Sequence, residues 1–179
     1  MDVSLSTVRL LLRQPRMDDA EKLAQFLNNF AVAGNLSTVP YPYRVSDARA
    51  WLRGWRPDRP VSETGFTIEL AGEGLIGHVG FHHEQNSPVI GYWLAQPFWN
   101  RGLMSEAVRA ALGWYFSVSE AASLGSGVFH FNRASLAIQR KMGFREVGVS
   151  KRLCLARGEE VRHIDTELTR GAWEERRAA

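Results

Sequence analysis

The segment from Gly91 to Ala107 holds residue types that could bind an anion. It has the pattern of a buried strand that passes through a short loop into a strong helix. The first turn of such a helix has backbone N–H groups without partners and carries partial positive charge, so it can bind an anion. Gly102 would let a ligand approach the backbone closely, and Ser105 adds a hydroxyl group. A purely structural junction with one glycine has the same spacing, so the spacing alone leaves both interpretations open.

The same segment lacks the glycine patterns of two nucleotide-binding loops. The second glycine and the Gly-Lys-Ser/Thr ending of a P-loop are missing. The Gly-x-Gly-x-x-Gly pattern of dinucleotide-binding folds is also absent. Any anion bound here is therefore expected to be held in another way.

A second group of chemically active residues, His82, His83 and Glu84, ends a predicted strand. Side chains alternate along a strand, so His82 and Glu84 share one face and His83 points to the other. This arrangement disfavours a metal site, and the lone Cys154 cannot supply a zinc site of several thiolates. Because histidine titrates near neutral pH, His82 or His83 is suited to act as a base. Surface histidines on an edge strand are the alternative interpretation.

The elements that must position these residues are strands and helices in mixed order. Periodic apolar residues predict helices that begin after Asp18 or Asp19 and after Ser46 or Asp47, and two more at about 101–118 and 134–142. Other apolar runs predict strands at 8–13, 65–70, 75–84, 89–95, 124–131, 144–155 and 161–169. The order β-α-α-β-β-β-α-β-α-β-β indicates a mixed α/β fold around one sheet. The length of 179 residues favours a single domain over residues 1–179.

Composition limits the classes of partner and compartment. The chain has 22 Lys and Arg against 19 Asp and Glu, without the concentrated basic stripe that binds nucleic acid. Residues 133–179 hold 11 Lys and Arg against 7 Asp and Glu, which suits an anionic small molecule or a solvated surface. No apolar run approaches the ~18 residues that span a bilayer, so no membrane partner is expected. A single cysteine rules out a disulfide framework and favours a reducing compartment, most simply the cytoplasm.

Several motifs occur in a recognisable order along the chain. A Gly-Tyr-Trp-Leu strand at 91–94 is followed by a Trp-x-x-Gly loop at 99–102 and a Glu-Ala pair at 106–107. Further motifs are Arg9–Arg13 with Asp18–Ala20, Val39–Tyr43, Leu75–Gly80, Asn132–Ser135 with Lys141–Phe144, and Asp165 with Trp173. This ordered set resembles the GNAT superfamily of N-acetyltransferases, and more closely its RimJ/RimL-type branch. The resemblance covers nearly the whole chain.

The resemblance implies an acetyl-CoA cleft between splayed central strands. The sheet would be mixed and mostly antiparallel, with about seven strands flanked by about four helices. The loop would wrap the CoA pyrophosphate with backbone N–H groups, and the preceding strand would pair with the pantetheine arm. The implied cofactor-binding residues are Trp93, Leu94, Ala95, Asn100, Arg101, Gly102, Leu103, Met104, Ser105 and Asn132. The chain departs from the superfamily pattern at Trp99, where Gln or Arg is usual, and at Met104, where Gly or Ala is usual.

The resemblance also implies a reaction in which a neutral amine attacks the thioester directly. The tyrosine that many members use as the acid is absent, and Ser135 of the Asn-x-x-Ser motif is the candidate acid toward the leaving sulfur. A capping or first-turn serine is the alternative. The Glu that often precedes the Gly-Tyr-Trp strand is also absent, which leaves His82 or Asp165 as the candidate base. No metal is implied.

The lack of an evident base limits the class of amine that could serve as the acceptor. An α-amine has a pKa near ~8 and a lysine side chain near ~10.4, so an α-amine is already partly neutral at neutral pH. The sequence therefore favours a protein or peptide N-terminal α-amine, or a small-molecule amine. The alternative is a non-catalytic CoA-binding or sensor module of the same fold. A homodimer is compatible with the resemblance. The aromatic residues that could line an acceptor cleft or pack in the core are Tyr41, Tyr43, Trp51, Trp55, Phe81 and Trp93.

Overall fold

The protein is built on one mixed sheet, which has eight strands in the part of the chain that the structure describes. This computed structural model describes residues 3–55 and 59–178. The strands are β1 (Leu5–Ser6), β2 (Leu10–Arg13), β3 (Gly65–Leu70), β4 (Gly74–Glu84), β5 (Ser87–Leu94), β6 (Ser123–Phe129), β7 (Arg145–Cys154) and β8 (Glu159–Thr169). Their order is β1-β2-β3-β4-β5-β6-β8-β7, and only the β5–β6 pair is parallel among these residues. The predicted mixed, mostly antiparallel sheet is confirmed, and the single domain over 1–179 stays a prediction.

Six α-helices accompany the sheet within the same residues, against about four predicted. They are α1 (Ala20–Leu27), α2 (Phe30–Ala33), α3 (Val45–Arg53), α4 (Leu103–Val118), α5 (Arg133–Met142) and α6 (Arg170–Ala178). Short 3₁₀ turns lie at Met17–Asp19, Val61–Glu63 and Gln96–Phe98. Two prolines predict a loop at 56–62, and part of this loop falls outside the described residues. No helix among the described residues is long and apolar enough to cross a membrane.

Helix starts account for most of the differences from prediction. The apolar pattern of the first predicted helix extends from Ala20 to Phe30. The Asn29 side chain accepts the Ala31 backbone N–H and begins α2, so this pattern is divided between two helices. In α3 the Arg44 backbone N–H donates to Asp47 at 2.8 Å, and the helix begins at Val45, before both predicted caps. Local hydrogen bonds of this kind depend on one side chain, whereas apolar periodicity reports only the helix as a whole.

A buried ion pair fixes the corner between β2 and α1. Arg13 Nη2 lies 2.6 Å from Asp19 Oδ1, and these side chains are 10% and 6% exposed. The Arg16 backbone N–H and the Thr67 hydroxyl also donate to this carboxylate. Burial alone would raise the pKa of Asp19, but these donors hold it below its usual value. α1 begins directly after Asp19, one of the two predicted positions, but the Asp19 side chain does not bond to the first turn of α1, because these groups take up its oxygen atoms.

Helices pack against both faces of the sheet. Side chains alternate along β4, so Val79 and Phe81 pack with α4 in the main core. His78 points to the other face, where it contacts Trp51 and Trp55 at the end of α3. The buried apolar stripe of α4 holds this helix against the sheet, which fixes the position of its first turn and of the loop before it.

The parallel strands β5 and β6 diverge, and this opens a gap in the sheet. β4 and β5 pair over eight positions, but β5 and β6 are in register only at Val89 and Gly125 among the described residues. The Ser126 hydroxyl donates to the Ile90 carbonyl at 2.9 Å, close to that pair. Tyr92–Leu94 therefore has no strand partner on the β6 side within the described chain. A ligand with amide groups could pair with this exposed strand edge.

Candidate functional site

A cleft of about 660 Å³ opens where β5 ends and where α4 and α5 begin. A volume of this size is typical of small-molecule sites. The cleft lining includes the predicted cofactor residues Trp93, Leu94, Asn100, Gly102, Leu103, Met104, Ser105 and Asn132, and the predicted acid Ser135. Residues that are far apart in the sequence therefore meet in one cleft.

The loop before α4 has a backbone shape that exposes N–H groups. Asn100 and Gly102 have φ values of 60° and 74°, in the left-handed region. No side chain among the described residues caps the N-terminus of α4, and the first turn runs from Leu103 through Ser105 along the cleft. Unpaired N–H groups and the helix dipole both favour an anion at this place. The first turn thus fits the diphosphate of a nucleotide cofactor without a P-loop sequence.

The two departures from the superfamily pattern have separate structural explanations. The Trp99 indole Nε1 donates to the Leu94 carbonyl at 2.7 Å, so it ties the loop to the end of β5. Met104 is only 6% exposed and packs in the main core. Its side chain therefore fills the interior next to the cleft.

Two predicted cofactor residues, Ala95 and Arg101, do not line the cleft. Ala95 is fully buried, and its backbone N–H donates to the Ile76 carbonyl at 2.8 Å. The Arg101 guanidinium lies over the Phe98 ring at 5.8 Å. Arg101 can contribute to the loop through its backbone, whereas Ala95 has its N–H group already paired.

Asn132 and Ser135 begin α5 at the mouth of the gap between β5 and β6. The Asn132 side-chain oxygen accepts the Ser135 backbone N–H at 3.2 Å, so Asn132 caps the helix. Its amide NH₂ group makes no hydrogen bond to the described part of the chain and can donate to a ligand carbonyl. The Ser135 hydroxyl donates to the Tyr92 hydroxyl at 3.0 Å, and the Tyr92 hydroxyl donates to the Ser135 carbonyl at 3.2 Å.

Tyr92 lines the cleft but was not among the predicted site residues. Burial raises the pKa of Tyr92 to about 12, so its hydroxyl stays protonated at neutral pH. Its place in the Gly-Tyr-Trp-Leu strand could have marked it as a cleft residue. The contact with Ser135 joins positions 43 residues apart, and no sequence pattern indicates it. The cleft lining also includes residues that the sequence did not indicate: Val32, Asn35, Leu36, Phe131 and Arg157.

A buried chain of hydrogen bonds holds the gap together at its narrow end. Thr166 donates to Gln139 at 2.8 Å, and Gln139 donates to the Ser126 hydroxyl at 2.9 Å. Ser126 in turn donates to the Ile90 carbonyl. Gln139 and Thr166 are 2% and 3% exposed, so these bonds form away from water, where unpaired partners would be costly. The chain fixes the point at which β5 and β6 separate.

The two candidate bases lie outside the cleft lining. His82 is 54% exposed in its side chain, and its Nε2 lies 3.3 Å from Glu84 Oε1. Asp165 Oδ1 accepts from the Ser150 hydroxyl at 2.9 Å and lies 2.8 Å from His163 Nδ1. Catalytic roles for His82 and Asp165 stay predictions.

Arg152 on β7 links the surroundings of these two candidates. Its Nη1 pairs with Glu84 on β4, and its Nη2 lies 3.9 Å from Asp165 Oδ1 on β8. Burial would raise the pKa of Glu84, but Arg152 and His82 lower it below its usual value. His82 and Asp165 thus belong to one ionic surface that spans the two halves of the sheet.

Of the aromatic residues that could line an acceptor cleft, only Trp93 lines the cleft among the described residues. Phe81 stacks on Tyr115 in the core, and Tyr43 is 7% exposed in the second core. Among the described side chains, no group of three His, Cys, Asp or Glu residues is placed to hold a metal ion.

The sequence matches the family model of the acetyltransferase (GNAT) domain over residues 9–145. The chain belongs to the GNAT acetyltransferase family. The uncharacterized N-acetyltransferase YoaA of Bacillus subtilis is 28% identical over 163 residues, which cover 86% of this chain and 89% of YoaA. This membership identifies the GNAT protein as an N-acetyltransferase and confirms the predicted enzyme class.

Solved structures share the fold of this GNAT protein. RimJ of Mycobacterium smegmatis, in complex with CoA-disulfide, superposes with a TM-score of 0.78 at 23% identity, over 94% of this chain and 88% of RimJ. RimL, a ribosomal L7/L12 α-N-protein acetyltransferase in complex with coenzyme A, gives a TM-score of 0.81 at 21% identity, over 95% of this chain and 99% of RimL. The predicted RimJ/RimL-type resemblance is therefore confirmed at the level of the fold.

Proposed function

We propose that this GNAT protein transfers the acetyl group of acetyl-CoA to a primary amine, either a protein or peptide N-terminal α-amine or a small-molecule amine. One observation carries the proposal: the uncapped first turn of α4, the unpaired edge of β5 and the Ser135 hydroxyl lie in a single cleft. The first turn of α4 would bind the pyrophosphate, the edge of β5 would pair with the pantetheine amides, and Ser135 would face the leaving sulfur. The complexes of RimJ and RimL with forms of CoA support the same cofactor in this fold.

The proposed reaction forms one bond and breaks one. The amine nitrogen forms a bond to the thioester carbonyl carbon, and the bond from that carbon to sulfur breaks. The Ser135 hydroxyl turns from Tyr92, donates a proton to the leaving sulfur and takes a proton back from water. Its position in the first turn of α5 is set by the Asn132 cap. The amine loses its proton to water, with His82 or Asp165 as the candidate acceptor of that proton.

The cleft chemistry supports an acceptor that needs little help from a base. None of the described residues that line the cleft is Asp, Glu or His. A lysine side chain would need such a group to become neutral, whereas an α-amine is partly neutral at neutral pH. We therefore propose an N-terminal α-amine as the preferred acceptor class. The cytoplasmic location and the homodimer stay predictions.

Acetyl-CoA is expected to raise the unfolding temperature of the protein by about 5–10 °C when present at about a hundred times its Kd. The reason is that the ligand binds the folded cleft and not the unfolded chain. Differential scanning fluorimetry with acetyl-CoA, and with pantetheine as the control that lacks the nucleotide, measures the shift. An unchanged unfolding temperature with acetyl-CoA would contradict the proposed function. Stabilisation without CoA release across an amine panel would favour the sensor module.

A peptide with a free α-amine and no lysine is expected to be acetylated with a kcat/KM about 10²-fold higher at pH 7.5 than a matched peptide with a blocked N-terminus and one lysine. The factor follows from the larger neutral fraction of the α-amine, so it should shrink as the pH rises toward 9.5. Initial rates of CoA release measure both. A clear preference for the lysine peptide would rule out this acceptor class.

A further inference from the structure

The turn between β1 and β2 is fastened to the first turn of α4 by one carboxylate. Glu106 Oε1 accepts from the Thr7 hydroxyl at 2.6 Å and from the Arg9 backbone N–H at 2.9 Å. Glu106 Oε2 accepts from Arg9 Nε at 2.7 Å. Three donors from residues about a hundred positions earlier thus meet a side chain that is 18% exposed. We call Thr7, Arg9 and Glu106 the anchor.

Arg9 also connects the anchor to the loop at 99–102, the candidate site for the pyrophosphate. Arg9 Nη1 donates to the Arg101 carbonyl at 2.9 Å. A trans peptide is planar, and its N–H points opposite to its C=O. Because the Arg101 carbonyl points to Arg9, the Gly102 N–H of the same peptide points away from Arg9. Gly102 lines the cleft, where an N–H of this orientation is available to a phosphate oxygen.

We propose that the anchor is a positioning device for the cofactor, in which Glu106 orients Arg9 and Arg9 holds the Arg101–Gly102 peptide with its N–H toward the CoA pyrophosphate. This inference rests on the proposed function, because it assumes that the loop binds CoA. The Arg9–Arg13 motif and the Glu-Ala pair have no role in the acetyl transfer itself, and the anchor assigns both of them to the positioning of the cofactor. Arg9 and Glu106 act on the cofactor through the backbone of the loop.

The charge of Glu106 makes the inference testable. A carboxylate one turn inside α4 opposes a diphosphate at the same helix end by simple electrostatics, so its removal should strengthen CoA binding if charge alone matters. Burial would raise the pKa of Glu106, but the bonds from Thr7 and Arg9 hold it below its usual value, so the carboxylate is ionised at neutral pH. If the anchor positions the loop, removal of the Glu106 charge should instead weaken CoA binding, because without Glu106 the Arg9 side chain loses its orientation.

Glu106→Gln is expected to raise the Kd for CoA about tenfold or more, because a lost, well-directed hydrogen bond to a charged phosphate has that magnitude. The same variant should change the Kd for S-acetylpantetheine, which lacks the pyrophosphate, by less than about twofold. Calorimetric titration of both ligands measures the two constants. Arg9→Lys keeps the positive charge but replaces the rigid guanidinium, whose Nε and Nη1 bond Glu106 and the Arg101 carbonyl, with one flexible ammonium, so it should show the same selective loss.

Glu21→Gln is the matched control, since Glu21 pairs with Arg49 at 2.9 Å on an exposed surface of α1 and α3. It should leave both dissociation constants unchanged. The inference is overturned if Glu106→Gln binds CoA as tightly as the wild type or more tightly, or if both ligands weaken equally. If the wild type binds no CoA, the proposed function is wrong. If the wild type and the anchor variants bind CoA equally well, the proposed function stands and only the role of the anchor is wrong.

Discussion

Ser135→Ala is expected to lower kcat for acetyl transfer about 10²-fold, with little change in the KM for acetyl-CoA, because the sulfur would leave without a proton donor. Ser135 lines the cleft, and its backbone N–H donates to the Asn132 side-chain oxygen at 3.2 Å. Since that backbone bond survives the substitution, the cap of α5 should remain. Single-turnover and steady-state CoA release, together with an unchanged unfolding temperature, measure the effect on chemistry separately from folding.

Tyr92→Phe is the matched variant, since it removes the hydroxyl that Ser135 contacts at 3.0 Å and keeps the ring in place. Its pKa of about 12 means that Tyr92 is not an ionised base at neutral pH. We expect a loss of no more than about tenfold in kcat, from a less well oriented serine. A Ser135→Ala enzyme with wild-type kcat would remove Ser135 as the acid. A larger loss in Tyr92→Phe than in Ser135→Ala would transfer that role to Tyr92.

The fold was largely predictable because its elements carry strong periodic patterns. β3 matches its predicted residues 65–70, and α5 begins one residue before its predicted start. The predicted strands 75–84 and 89–95 leave a turn of four residues between them, but the turn is shorter in the structure. Gln85 and Asn86 both have positive φ, so two residues make the turn and β5 begins at Ser87. α6 was not predicted, because only Trp173 of its residues is buried and its apolar pattern is weak.

The candidate site was predictable where it is local in sequence. The strand, loop and first turn between Trp93 and Ser105 form one continuous segment, so a motif indicates them together. The contacts made between distant strands and helices were not predictable from one sequence. Tyr92 with Ser135, Arg152 with Glu84, and Arg9 with Glu106 each join residues more than 40 positions apart. Their pairing depends on sheet order and on side-chain conformation, neither of which periodicity specifies.

The free energy of unfolding is expected to fall by about 2 kcal/mol between pH 7.5 and pH 5, because the buried His78 resists protonation. His78 is 9% exposed, and its Nδ1 has no hydrogen-bond partner among the described residues. Burial lowers its pKa to about 3, although the nearby Asp19 carboxylate partly opposes this. The unfolded chain, with a histidine pKa near ~6.5, therefore takes up the proton first as the pH falls. The contribution of neutral His78 to the free energy of unfolding is fully present above pH ~6.5 and is lost progressively toward pH 3. The total loss is on the order of 4–5 kcal/mol.

The surroundings of His78 explain why the ring cannot relax toward water. Trp51 and Trp55 lie 5.0 and 5.5 Å from its centre, and a Cβ at Gly65 or Gly80 would meet its Nε2 at 2.8 Å. Urea unfolding at pH 7.5, 6 and 5 measures the effect, and the carboxylates with lowered pKa contribute little in this range. His78→Leu should flatten the dependence, whereas His83→Gln, at an exposed position, should retain it. Equal stability of the wild type at pH 5 and 7.5 would show that the ring is protonated without disturbing the fold. An equal loss in His78→Leu would show that groups other than His78 cause the pH dependence.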